Sequence, residues 1–105
     1  MIYLASPYTH EDPFIREERY LRAAKVTIDF LKKQMWVYSP IVHCHELAKF
    51  GGLPVDADFW RDYNFAMLKK SDKLIILRIQ GWDTSKGVHG EKNEAERLGI
   101  PYEFL

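Results

Sequence analysis

Short apolar runs alternate with helix-period segments along all 105 residues, and few folds accept that alternation. Met1 to Ala5, Trp36-Val37-Tyr38, Lys73 to Ile79 and Pro101 to Phe104 read as strands. Between them, Asp12 to about Gln34 and Asp56 to Lys70 carry helical spacing, and another helix follows the turn Gly81-Trp82-Asp83-Thr84. Ile41 to Phe50 reads as irregular or short helical, ending at Gly51-Gly52. Strands that alternate with helices pair in parallel through right-handed crossovers.

The expected fold is therefore α/β, a small flavodoxin-like or Rossmann-like three-layer sandwich with a mainly parallel sheet of four to five strands. It forms one domain over residues 1–105. Asp12-Pro13 is a specific helix start, since Asp caps the first amides and Pro needs none. On the helix that follows, Leu21, Ala24, Ile28 and Leu31 share a face expected to meet the core.

Fifteen basic and fifteen acidic residues balance, which removes the electrostatic footprint of a protein that coats nucleic acid or anionic membrane. A small ligand is the better partner. No segment approaches a membrane span, and the chain opens directly on a strand-like run, so a cytoplasmic protein that starts at Met1 is expected. Cys44 is the one cysteine, which leaves no disulfide framework and no thiolate cluster for zinc. His43 and His45 flank it without a third ligand at a recognised spacing, so neither metal nor cofactor is expected.

Glu91 is the first suspect for chemistry. It falls on the stripe Val88, Glu91, Ala95, Leu98, where a helix normally sets only apolar residues against the core. Its helix follows the strand Leu74-Ile75-Ile76-Leu77 and a glycine turn, the junction where open α/β sheets bind ligands. A desolvated carboxylate is costly there unless something pairs with it or uses it. Ser85-Lys86-Gly87 just before the helix offers a hydroxyl and backbone amides suited to a phosphate, though a plain cap explains the serine equally well. Tyr3 and Tyr8 bracket the end of the first strand, and either hydroxyl is available to a carboxylate in the pocket. Among Phe59, Trp60 and Trp82, the turn residue Trp82 is the favoured stacking platform for a planar ring. The pocket is expected between Ser6-Pro7-Tyr8-Thr9, Gly81 to Gly87, and the helix carrying Trp60 and Asn64.

Together these residues resemble the nucleoside 2-deoxyribosyltransferase-like superfamily, including the 2'-deoxynucleoside 5'-monophosphate N-glycosidases. Ile2 to Tyr8 is similar to the family's opening strand and loop, and Ser71 to Leu77 to its central strand. Ser85-Lys86-Gly87-Val88-His89-Gly90-Glu91, with Ala95, Leu98-Gly99 and Pro101, is similar to its carboxyl-terminal signature. The resemblance implies that Glu91 attacks the anomeric carbon of a (deoxy)nucleoside or its 5'-monophosphate and forms a covalent sugar ester, with Tyr3 orienting it. It also implies substrate contacts from Ser6, Pro7, Tyr8, Trp82, Ser85, Gly87 and Val88, with Ser85 suggesting a phosphorylated substrate, and a homodimer or higher homo-oligomer. Where the family usually carries an aspartate this chain has Asn64, which cannot protonate a leaving base. Asp62, also expected among the substrate contacts, would substitute only if the helix were rotated or the substrate pose shifted. The chain also ends at Leu105, without the tail that reaches a neighbouring site in several transferases. An N-glycosidase or deoxyribosyltransferase is thus expected, with a catalytically silent nucleotide-binding module or cleavage at the nicotinamide ribose of NAD as alternatives.

Overall fold

The computed structural model describes residues 1–105. Four strands, β1 (Ile2–Ala5), β2 (Val37–Tyr38), β3 (Lys73–Ile76) and β4 (Tyr102–Phe104), form one parallel sheet in the order β2-β1-β3-β4. Four helices connect them: α1 (Pro13–Lys32), α2 (Pro40–Gly51), α3 (Ala57–Lys69) and α4 (Lys86–Leu98), the last preceded by a 3-10 turn at Trp82–Thr84. This is the α/β sandwich expected. No helix is long and apolar enough to cross a membrane.

The two-residue period of the strands sorts the core into two layers. Tyr3 and Ala5 stand beside Leu74 and Ile76 and pack with Leu68 of α3 and with Val88 and Ala95 of α4. On the opposite face, Leu4, Ile75, Leu77 and Ile79 pack against Val26 and Phe30 of α1. The chain leaves β1 toward β2 on one side and leaves β3 toward β4 on the other. Their carboxyl ends therefore diverge into the crevice where ligands bind in such sheets.

Capping residues set the helix starts. Asp12 accepts the Phe14 amide at 2.9 Å ahead of Pro13. Ser39 accepts the Val42 amide at 3.2 Å ahead of Pro40, so the segment expected to be partly irregular is a full helix, closed by Gly52 at φ 64°. The serine-proline pair that ends β2 is itself a helix start.

The expected core face of α1 needs correction. Leu21, Ile28 and Leu31 are exposed, while Ala23 and Thr27 are buried with Val26 and Phe30 against the sheet. The helix carries two apolar stripes, and the one with small residues allows the closer approach. Thr27 costs little there, because its hydroxyl donates to the Ala23 carbonyl at 2.8 Å.

Candidate active site

Glu91 lies on the inner face of α4 between Val88 and Ala95, 6% exposed. The fully buried Tyr3 of β1 donates its hydroxyl to Glu91 Oε2. Burial raises the carboxyl from 4.5 to about 8, with the Tyr3 hydrogen bond pulling the other way. Burial and the neighbouring Glu91 hold the Tyr3 phenol well above its ordinary value, so its proton stays available to the carboxylate. A carboxyl poised near neutrality at a sheet crevice is a common arrangement in active sites.

Glu91 opens on a cavity of about 710 Å³, within the range of small-molecule sites. Its walls come from the loop after β1, from α2 and α3, and from the turn and first helical residues after β3. Ser6, Tyr8, Asn64, Ser85 and Gly87 line it with Glu91. Ser6 Oγ and Asn64 Oδ1 are buried with no protein hydrogen-bond partner. Ser85 accepts the Val88 amide at 3.2 Å as N-cap of α4, leaving the hydroxyl proton free to donate into the cavity.

Four expected contacts lie elsewhere. Pro7 and Val88 are buried inside the protein and line no part of the cavity, Val88 at 2% exposure within the layer beneath α4. Trp82 packs against that same layer with its ring 5.5 Å from Phe104, so the turn tryptophan is a core lid rather than a ligand platform. Trp60 lines the cavity instead, held by its Nε1 donating to the Pro54 carbonyl at 2.8 Å. Asp62 is exposed and outside the cavity, two residues along α3 from Asn64 and so turned well away from it.

Several cavity residues carry no sequence signal of their own. Arg19 of α1 donates to the Thr9 carbonyl at 3.0 Å and lies over Gly81, tying the two crevice loops together. Gly81 has φ 95°, a conformation that side chains rarely adopt, and a Cβ there would push that guanidinium aside. At the rim, Asp58 bridges Lys86 and Arg61, and the Lys86 hydrogen bond leads in holding its carboxyl below the usual range. Cys44 also lines the cavity, and burial next to Glu91 pushes its thiol up to about 12. Such a thiol is inert.

The two histidines of α2 point apart. His43 meets the Tyr63 hydroxyl at 3.0 Å, whereas the buried His45 meets Tyr8 and Glu17. No cluster of three or more His, Cys, Asp or Glu side chains is placed to hold a metal ion.

Residues 1–103 match the family model described as a domain of unknown function, DUF1937, and the chain belongs to that family. No curated protein matches the chain.

Proposed function

We propose that the protein cleaves the N-glycosidic bond of a nucleoside or nucleoside 5'-monophosphate, with Glu91 as nucleophile. The observation that carries this reading is a buried carboxylate facing a cavity of about 710 Å³ while a core tyrosine donates to it from behind. In this mechanism the carboxylate attacks the anomeric carbon as the base departs, through a transition state with oxocarbenium character. Water or a second base then resolves the sugar ester.

Asn64 is proposed to grip the base through its amide, and Trp60 to offer it an aromatic face. Ser85, with Lys86 and Arg61 at the rim, is proposed to receive a 5'-phosphate, where a donated hydroxyl proton and the single net positive charge that Lys86 and Arg61 leave around Asp58 favour an anion. Self-association through the outward stripe of α1 and a cytoplasmic location belong to the same proposal.

The direct test incubates the purified protein with deoxy- and ribonucleosides, their 5'-monophosphates and NAD, and quantifies released base chromatographically beside Glu91→Ala. Base release that vanishes in the variant is the expected result. No release from any of them, with thermal stabilisation by one, would replace the enzyme with a nucleotide-binding module.

A further inference from the structure

A base leaving a sugar needs a proton on nitrogen, and most cavity groups are unable to supply it. Asn64 is an amide. Asp58 is held ionised by Lys86 and Arg61, and Asp56 is engaged as the cap of α3, accepting the Phe59 amide at 2.9 Å. His10 uses Nδ1 to accept the Asp12 amide at 3.0 Å, and His89 directs Nε2 to the Asp83 carbonyl at 2.6 Å. The Cys44 thiol, at about 12, releases its proton too reluctantly.

Tyr8 differs from all of these. Tyr8 lines the cavity, its hydroxyl meets His45 Nδ1 at 2.6 Å, and His45 Nε2 meets Glu17 Oε2 at 2.5 Å. His45 is 4% exposed and stacks on Tyr20 with ring centroids 4.2 Å apart, so its orientation is locked. Glu17, by contrast, is 45% exposed and reaches solvent. Three side chains from the loop after β1, from α2 and from α1 thus form one hydrogen-bonded line from cavity to surface.

We propose that Tyr8 is the acid that protonates the leaving base, supplied with its proton by His45 and Glu17. This rests on the glycosidase reading above. In the reactive complex His45 carries a proton on each ring nitrogen, Nε2-H donating to the Glu17 carboxylate and Nδ1-H donating to the Tyr8 oxygen. The Tyr8 O-H then points at the base. As the C-N bond breaks, its electron pair goes to the base nitrogen, which takes the Tyr8 proton. Tyr8 takes the proton from Nδ1, and His45 is left neutral with Nε2-H still on Glu17. Glu91 meanwhile closes the ester to the anomeric carbon. When water attacks that carbon, its proton returns through Tyr8 to Nδ1 and the Glu91 carboxylate is released, which restores every charge.

Burial raises the Tyr8 phenol above its ordinary value, with Arg16 pulling it down less strongly. The hydroxyl therefore gives up a proton readily only if His45 replaces it at once. His45 and Glu17 act through Tyr8 and are positioning residues; of these three, Tyr8 alone touches the substrate.

The test compares a guanine deoxynucleoside 5'-monophosphate with its N7-methylated counterpart, whose base leaves neutral and needs no proton. The full-length protein is used, as wild type, Tyr8→Phe, His45→Phe, Glu17→Gln and Glu91→Ala. Tyr8→Phe removes only a hydroxyl, and His45→Phe keeps a ring against Tyr20. Tyr8→Phe is expected to lower kcat/KM on the unmodified nucleotide on the order of a hundredfold, and on the methylated one by less than about threefold. His45→Phe is expected to show the same selectivity, and Glu17→Gln a weaker version of it.

Equal losses on both substrates would reduce Tyr8 to a packing or binding role. Activity abolished by Glu91→Ala but unmoved by Tyr8→Phe would overturn the relay and leave the glycosidase standing. A wild type that releases no base from these two substrates or from any member of the nucleoside, nucleotide and NAD panel would overturn the glycosidase and the relay together.

Discussion

Tyr3 and Glu91, 88 residues apart in the chain, meet in the core, where the phenol donates to the carboxylate. The bond crosses from β1 to the helix after β3, so the two halves of the sheet must be assembled before the carboxylate is set. It is also what pulls the Glu91 carboxyl down against the effect of burial. Tyr3→Phe is therefore expected to move the rising limb of the pH profile of kcat/KM to higher pH. Base release at pH 7 should fall roughly tenfold or more, because less of Glu91 is ionised. A limb that stays in place would mean that the phenol does not tune the carboxylate.

Glu91 also gives a stability prediction with a definite sign. Its carboxyl rises from 4.5 to about 8 on folding, so the folded chain holds a proton that the unfolded chain releases in that window. The stability this contributes is fully present below about pH 4.5, declines as pH rises, and is lost once pH passes about 8. Glu91→Gln cannot ionise and escapes the loss. The variant is expected to exceed the wild type by a few kcal/mol at pH 9 and to match it near pH 4, as read by urea denaturation at both.

Much of the fold is legible in the sequence because local chemistry decides it. Asp12-Pro13 and Ser85 are caps that act within three residues, and the apolar runs of β1 and β3 have no other stable place than a covered sheet. Glu91 is conspicuous for the same reason, as an acid on an otherwise apolar stripe, between the buried Val88 and Ala95. The inward side of α1 is less legible, since Leu21, Ile28 and Leu31 are more apolar than Ala23 and Thr27, and close packing on the sheet, not hydrophobicity, decides between them.

The remainder of the site depends on tertiary proximity that no spacing encodes. Tyr8, Glu17 and His45 come from three elements, and only the sheet order brings them together. Trp82 and Trp60 are equally aromatic. Which one faces the cavity is set by Phe104 of the last strand, whose ring takes up Trp82.

Ser85 offers a test of substrate class. Aspartate caps a helix as well as serine does, so Ser85→Asp is expected to leave the melting temperature within about two degrees of wild type. Its charge would face any 5'-phosphate at the start of α4. KM for a deoxynucleoside 5'-monophosphate should rise roughly tenfold or more, while KM for the free deoxynucleoside changes less than about twofold. Equal changes for both would put the phosphate elsewhere.

Gly81 holds the crevice loops in register. At φ 95° a side chain is strained, and a methyl group would run into the Arg19 guanidinium that spans Thr9 and Gly81. Gly81→Ala is expected to cost about 1–2 kcal/mol in chemical denaturation, with a further rise in KM because the clamp is displaced. A variant as stable as wild type, with unchanged KM, would show that the two loops do not need this contact.

Phe14, Leu21 and Ile28 repeat every seven residues along the outer side of α1, 82%, 57% and 50% exposed. Apolar residues at that spacing recur on one side of a helix, a stripe that a second helix can cover. The charges beside the stripe favour an antiparallel partner, since Glu18 lies toward one end and Lys25 and Lys32 toward the other. A second copy of α1 run antiparallel sets Leu21 near Ile28 and brings Glu18 toward Lys32. The protein is therefore expected to sediment as a dimer, and Leu21→Glu with Ile28→Glu to sediment as a monomer. Because neither side chain contributes to the core under α1, the double variant should keep its helical circular dichroism. A wild-type monomer at micromolar concentration would leave the stripe without a role in self-association.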